Sequence, residues 1–285
     1  MLRNEVEKKT GLTRKALEYY EEKGLVSPKR GENQYRYYTQ EDVENIIQIS
    51  LLRKLGLTIE EIRKVLKDKD YKYLGSIVRD REILIEGEEK KQELLKEICN
   101  HGDMEAIKRE LDLLEKKENI YKRLSHVFPG YLGQIFFSGY RPFLKDFIKN
   151  EEEEKAFQEY ITFIDKLPPL ELTQEEILFL EKETATFSMK DLDRIQEKKV
   201  EAIENIADWY KENQDIVEEY ERFKKSEEYL TSLPYQIMIK IRKYMEENNY
   251  YEKAIPYILI FSPSYKEYYE KLLEANQKFI EFQET

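Results

Sequence analysis

Apolar positions in the first 70 residues recur in short stripes bounded by cap and turn residues. Val6 anchors a first helix that Asn4 can cap and Gly11 can end, because glycine accepts the left-handed conformation that closes a helix. The turn Thr10-Gly11-Leu12-Thr13 leads into a second helix, from about Arg14 to Lys23, that stops at Gly24. On it Ala16, Leu17 and Tyr20 share one face, at the spacing of a core-facing stripe. Arg14, Lys15, Glu18 and Tyr19 lie towards the other sides. Val26-Ser27-Pro28 and residues 34–38 read as two short strands around the basic turn Lys29-Arg30-Gly31-Glu32-Asn33. Thr39 then opens a helix with Val43, Ile46, Ile47, Leu51 and Leu55 as its apolar stripe, stopping at Gly56. Thr58 and Glu61 form a capping box for a short helix carrying Ile62, Val65 and Leu66.

Residues 74–99 carry a longer seam of Ile77, Leu84, Leu94 and Ile98, joined by Val78, Ile85 and Leu95. It is imperfect, since Asp80, Gly87 and Lys91 fall near it. After a break at Asn100-His101-Gly102-Asp103, Ile107, Leu111, Leu114 and Tyr121 repeat at heptad spacing with a lapse at Glu118. From about residue 126 the composition becomes aromatic: 8 of the 36 aromatic residues precede that point and 28 follow it. Pro129-Gly130, Pro168-Pro169, Thr173, Ser188, Pro234, Pro256 and Pro263 separate six to eight helical segments with no strand-rich stretch. The expected fold is mainly α, divided into residues 1–73, 74–125 and 126–285.

Charge sharpens this division. The chain carries a formal net charge of -11, yet its first 70 residues hold 15 Lys and Arg against 13 Asp and Glu. A short helix entered through a tight turn, with Thr13, Arg14 and Lys15 at its start, suits a DNA major groove. A basic wing with interleaved tyrosines suits the phosphate backbone, which arginine and lysine neutralise and tyrosine hydroxyls contact.

Three blocks in order carry a resemblance: TRKALEYYEEKGLVSP, NQYRYYTQEDV and LLRKLGLTIEEIRKVL. Together they resemble the winged helix–turn–helix domain of the MerR family of bacterial transcription regulators, over about residues 1–70. The resemblance implies contacts to double-stranded DNA through Thr13, Arg14, Lys15, Tyr19, Tyr20, Lys29, Arg30, Asn33, Tyr35, Arg36, Tyr37 and Tyr38, with Arg53 and Lys54 in a second wing. It implies a homodimer made by the helix after this domain, the alternative being a hairpin packed within its own chain. It further implies action with RNA polymerase at a near-palindromic promoter operator, by bending and untwisting DNA. Glu18 departs from the family's common arginine and is expected to pair with Arg14 or Lys15.

Little else points to chemistry. Cys99 is the chain's single cysteine, with His101 and His126 its two histidines, too few for a soft-metal site. No cofactor, metal or enzymatic motif is expected. A reducing cytoplasm fits the lone cysteine, and no apolar run reaches the ~18 residues of a membrane span. Phe136, Phe137, Tyr140, Trp209, Tyr210, Tyr265, Tyr268 and Tyr269 are the candidates for binding a small lipophilic or cationic effector, by stacking and cation–π contact. The alternatives are that they fill a helical core, or that the domain binds a protein partner.

Overall fold

A computed structural model describes residues 1–31, 34–67 and 71–284. The chain divides into two compact units, Met1–Ile77 and Val78–Thr285. The first contains α1 (Arg3–Thr10), α2 (Arg14–Glu22), β1 (Lys29–Arg30), β2 (Arg36–Tyr37), α3 (Gln40–Lys54) and α4 (Ile59–Lys67). Gly11 closes α1 at φ 71°, and the Thr13 side chain caps α2 by accepting from the Ala16 N–H. Pro28 lacks an N–H, so the two-residue ladder begins after it, pairing Lys29 with Tyr37 and Arg30 with Arg36. Gln34, at φ 62°, belongs to the turn rather than to the expected second strand. The N-terminus lies along the wing: Leu2 bridges Tyr37, and the Met1 ammonium donates to the Tyr38 carbonyl at 2.6 Å.

Leu17, Tyr20, Tyr38, Ile62 and Val65 meet the α3 residues Val43, Ile46, Ile49 and Leu52 in this unit's core. The expected α3 stripe is therefore partly corrected. Ile47, Leu51 and Leu55 are exposed, because α3 is apolar on two sides and buries the face that begins with Val43 and Ile46.

The division between units falls inside α5 (Leu74–Cys99), which runs into a tight turn and then α6 (Met104–Val127). The two helices form an antiparallel hairpin. Lys90 pairs with Glu110 at 3.5 Å and Lys91 with Glu118 at 2.9 Å, while the Tyr121 hydroxyl donates to Asp80. A Cβ on Gly87 would stand 3.0 Å from a Glu118 carboxylate oxygen, so glycine permits the close approach. The residues that interrupt the apolar seam are thus the ones that face the other arm of the hairpin.

The remaining described residues form α7 (Tyr131–Tyr140), a 3-10 turn (Arg141–Phe143), α8 (Glu151–Asp165), α9 (Gln174–Thr184), α10 (Met189–Glu204), α11 (Ile206–Phe223), α12 (Glu227–Thr231), α13 (Leu233–Glu247), α14 (Tyr250–Phe261) and α15 (Pro263–Glu284). This exceeds the expected number because Asn205 and Asn249 break helices without a proline or glycine; Asn249 adopts a left-handed φ of 51°. Apolar residues of α6, α7, α8, α10, α13, α14 and α15 share one continuous core.

Two buried cations mark this unit. Arg79 has no exposed surface. Its Nε donates to Gln134 Oε1 at 2.5 Å, and its Nη1 donates to the carbonyls of Thr184 at 2.7 Å and Phe187 at 2.9 Å. Its guanidinium also lies 5.5 Å from the Tyr131 ring centroid. Burial pushes the Arg79 pKa down from its ordinary value, and the nearby Glu181 opposes that shift. Lys116, 5% exposed, lies in the apolar stripe of α6 with Ile120 and Leu124. Its Nζ donates to the Asp146 carbonyl at 2.5 Å, and burial lowers its pKa to about 8.

Two stability predictions follow from these cations. Arg79→Ala leaves buried acceptors on α7 and α9 without their donor, and should cost on the order of 3 kcal/mol in urea denaturation of the full chain. Lys116→Met should stabilise the protein at pH 7, where both folded and unfolded lysines are charged and the burial cost is fully present. The folded lysine loses its proton near pH 8 and the unfolded one near 10.5, so the wild type gains stability across that interval. The melting-temperature advantage of Lys116→Met should shrink accordingly from pH 7 to pH 10.

Candidate nucleic-acid interface

The start of α2 and the wing present most of the expected residues together. Arg14 and Lys15 are exposed on the first turn of α2, beside the cap Thr13. Lys29 and Arg30 on β1 and Tyr35 and Tyr37 around β2 are also exposed, while Arg36 is half-buried. Tyr19 is 39% exposed, with Lys23 Nζ 5.7 Å from its ring centroid. Asn33 lies outside the described residues.

Carboxylates on α2 organise these cations. Glu18 accepts from Arg14 Nε at 2.8 Å, and Arg3 approaches it at 3.5 Å. The hydrogen bond from Arg14 holds the exposed Glu18 carboxyl below its ordinary value. Of the two partners considered for Glu18, it therefore takes Arg14. One turn later Glu21 accepts from Arg36 Nε at 2.5 Å and from Arg30 at 3.2 Å, tying the wing to the helix. The Glu21 hydrogen bond raises the Arg36 pKa further. Glu21 is the residue that sequence reasoning missed here. Its i+3 spacing from Glu18 was the available signal, though its partners lie 9 and 15 residues away.

Tyr20 and Tyr38 are placed differently from the backbone-holding role expected for them. They are 7% and 3% exposed, and the Tyr38 hydroxyl is buried without a hydrogen-bond partner. Burial raises both pKa values. Tyr20 belongs to the α2 face that packs inwards, and Tyr38 follows the two-residue alternation of the wing that leaves Tyr37 outside. Arg53 and Lys54 are exposed at the end of α3, where Arg53 Nη1 donates to the Leu57 carbonyl at 2.6 Å and braces the Gly56 turn.

The aromatic candidates of the second unit mostly build its packing. Tyr140, Tyr265, Tyr268 and Tyr269 form linked ring contacts, such as Tyr140–Tyr265 at 5.5 Å and Tyr265–Tyr269 at 6.1 Å. The Tyr140 hydroxyl meets that of Tyr250 at 3.1 Å, and burial raises the Tyr140 pKa well above its ordinary value. Phe136 packs on Phe128, with ring centroids 4.4 Å apart. Tyr210 packs on Phe279 and Phe282, while Trp209 beside it is 36% exposed. Phe137, itself 3% exposed, lines a groove of about 250 Å³ beside Ile83, Leu114 and Arg141. Lys116 was not singled out from the sequence. A lysine within an otherwise apolar helical stripe was the signal that could have revealed it.

Cys99 is exposed, and among the described residues no three or more His, Cys, Asp and Glu side chains gather in a way that could hold a metal ion. No described helix is long and apolar enough to cross a membrane.

Residues 2–69 match the model of the family described as MerR HTH family regulatory protein. The HTH-type transcriptional regulator CueR of Salmonella typhi is 49% identical over 59 residues, covering 20% of this chain and 43% of the relative. The HTH-type transcriptional regulator HmrR of Rhizobium leguminosarum bv. viciae is 41% identical over 69 residues, covering 23% and 54%. In these two comparisons the chain spans about half the length of the curated relative it matches. CueR of Vibrio cholerae serotype O1 strain O395 is 32% identical over 111 residues, covering 38% of this chain and 74% of the relative. No solved structure matches. The family match over residues 2–69, together with a relative spanned over 74% of its length, places the protein: this chain belongs to the MerR HTH family.

Proposed function

We propose that the chain is a DNA-binding transcription regulator that acts as a homodimer on a promoter operator. The observation that carries this reading is a helix with a basic start, α2, tied through Glu21 near its end to a basic, tyrosine-bearing wing within the matched helix–turn–helix segment. Arg14 and Lys15 reach base edges in the major groove. Lys29, Arg30, Arg36, Tyr19, Tyr35 and Tyr37 hold phosphates, with Arg53 and Lys54 as a second wing. DNA replaces the carboxylate partners of these arginines, with base edges at Arg14 and phosphates at Arg30 and Arg36.

The dimer reading rests on α5. Its inner face is taken up by α6, while Leu84, Ile85, Leu95 and Ile98 are 62%, 56%, 63% and 43% exposed. Leu84, Ile85 and Leu95 form an exposed apolar patch along one side of this long helix, suited to the same helix of a second copy. The second unit supplies the regulatory signal. A change in the angle between two DNA-bound domains bends and untwists the operator for RNA polymerase, which requires only two arrangements that both hold DNA.

Arg36→Ala and Lys29→Ala should each weaken binding to specific and random duplexes alike, and lower the slope of log affinity against log salt by about one. Gel-shift titration at several salt concentrations measures this, and an unchanged slope for Lys29→Ala removes the wing from the interface. The double substitution Leu84→Glu with Leu95→Glu should give folded monomers by light scattering. A wild-type chain that is monomeric at micromolar concentration overturns the dimer.

A further inference from the structure

The buried lysine of α6 opens onto a cavity. About 370 Å³ lies between α6, the segment after the 3-10 turn, and α8. Leu113, Phe147, Ile148 and Phe157 give it apolar walls, and Lys116 and Asn119 contribute polar groups. An ammonium has three N–H donors. Among the described residues, the hydrogen bond from Lys116 Nζ goes to the Asp146 carbonyl, the ammonium also lies 5.9 Å from the Phe261 ring centroid, and no carboxylate oxygen forms an ion pair with it. The Asp146 carboxylate partly offsets the burial of the ammonium by its charge, but its hydrogen bonds go to other groups. Its Oδ2 accepts from the Ser264 N–H at 2.9 Å, the Ser264 hydroxyl at 2.6 Å and the Ser262 hydroxyl at 3.0 Å.

A buried cation with donors to spare is costly unless something meets it. In the groove beside Phe137 the cations are less buried than Lys116 and two of the three are paired, Lys90 with Glu110 and Arg141 with Glu86 and Asp193, while Lys117 is half-buried. At Lys116 the unused donors and the apolar walls call for a ligand with an acidic group at one end and an apolar body. Arg109 adds a second cation at the cavity, while the carboxylates of Asp112, Glu115 and Glu154 around it oppose more than one negative charge on a ligand.

We propose that this cavity binds a small monocarboxylate with an apolar body, its carboxylate received by Lys116 and its body packed against Phe157 and Phe147. The ligand is opposite in charge to the lipophilic cation suggested by the aromatic and acidic composition of the second unit. A role for this site in regulation rests on the DNA-binding reading above. Ligand binding does not, and is measured without DNA.

The probe is phenylacetate, titrated into the full-length chain by calorimetry, with benzylamine as a cation of similar shape. Saturable binding of phenylacetate that weakens at least tenfold in Lys116→Met, with no saturable binding of benzylamine, is the expected result. Circular dichroism and melting of Lys116→Met establish that the variant is folded. In the wild type, phenylacetate should also protect Lys116 from acetylation by an activated acetate ester, read at that peptide by mass spectrometry. Absence of saturable phenylacetate binding, equal affinity in the folded Lys116→Met variant, tighter binding of benzylamine, or binding that leaves Lys116 unprotected would each overturn the proposal. Gel shifts with and without phenylacetate then test separately whether occupancy alters DNA binding.

Discussion

A guanidinium with no exposed surface must have its donors met by the protein, and Arg79 sets that requirement for the second unit. Its position on α5 is local in sequence, but its acceptors lie on α7 and around the end of α9, 55 to 108 residues later. The adjacent Asp80 extends the same network by accepting from Gln134 and Tyr121. The hairpin, α7 and α9 are consequently joined by polar contacts with strict geometry as well as by apolar packing. The aromatic helices behind them supply the burial that makes such a network tight.

This network also explains what was hard to read from the sequence. Asp80, Gly87, Lys91 and Glu118 look like defects in an apolar seam when each helix is taken alone. Placed opposite one another across an antiparallel hairpin, they become an acceptor for Tyr121, a site of close approach and an ion pair. Periodicity reports which face of a helix is apolar, but not which neighbour meets it. Arg79 gave no signal at all, because its acceptors are distant in the chain and two of them are main-chain carbonyls. The helix breaks at Asn205 and Asn249 were equally silent, since neither relies on proline or glycine.

The first unit was more legible because its determinants are local. Thr13, Thr39 and Thr58 cap helices within three residues of themselves, and Gly11 closes one by its backbone conformation. The shift of the strands past Pro28 and the burial of Tyr38 came from ladder register, which a run such as Tyr35-Arg36-Tyr37-Tyr38 leaves open. Tyrosine is ambiguous in such a run, having a ring fit for a core and a hydroxyl fit for a phosphate. Similarly, the later aromatic residues could be read as ligand contacts or as packing, and most of those singled out pack against one another.

Glu18 and Glu21 give the proposed interface a property that its basic residues alone would lack. In the free chain, Arg14, Arg30 and Arg36 already have carboxylate partners, so they are oriented and partly neutralised before any polyanion arrives. An isolated phosphate must displace a tethered competitor, whose effective concentration is high because it is held in place within the same folded unit. A duplex presents several phosphates in fixed array and can displace these competitors together. At the proposed interface the two acids would therefore set an entry threshold, discriminating against stray anions and single contacts and making engagement of helix and wing a concerted event.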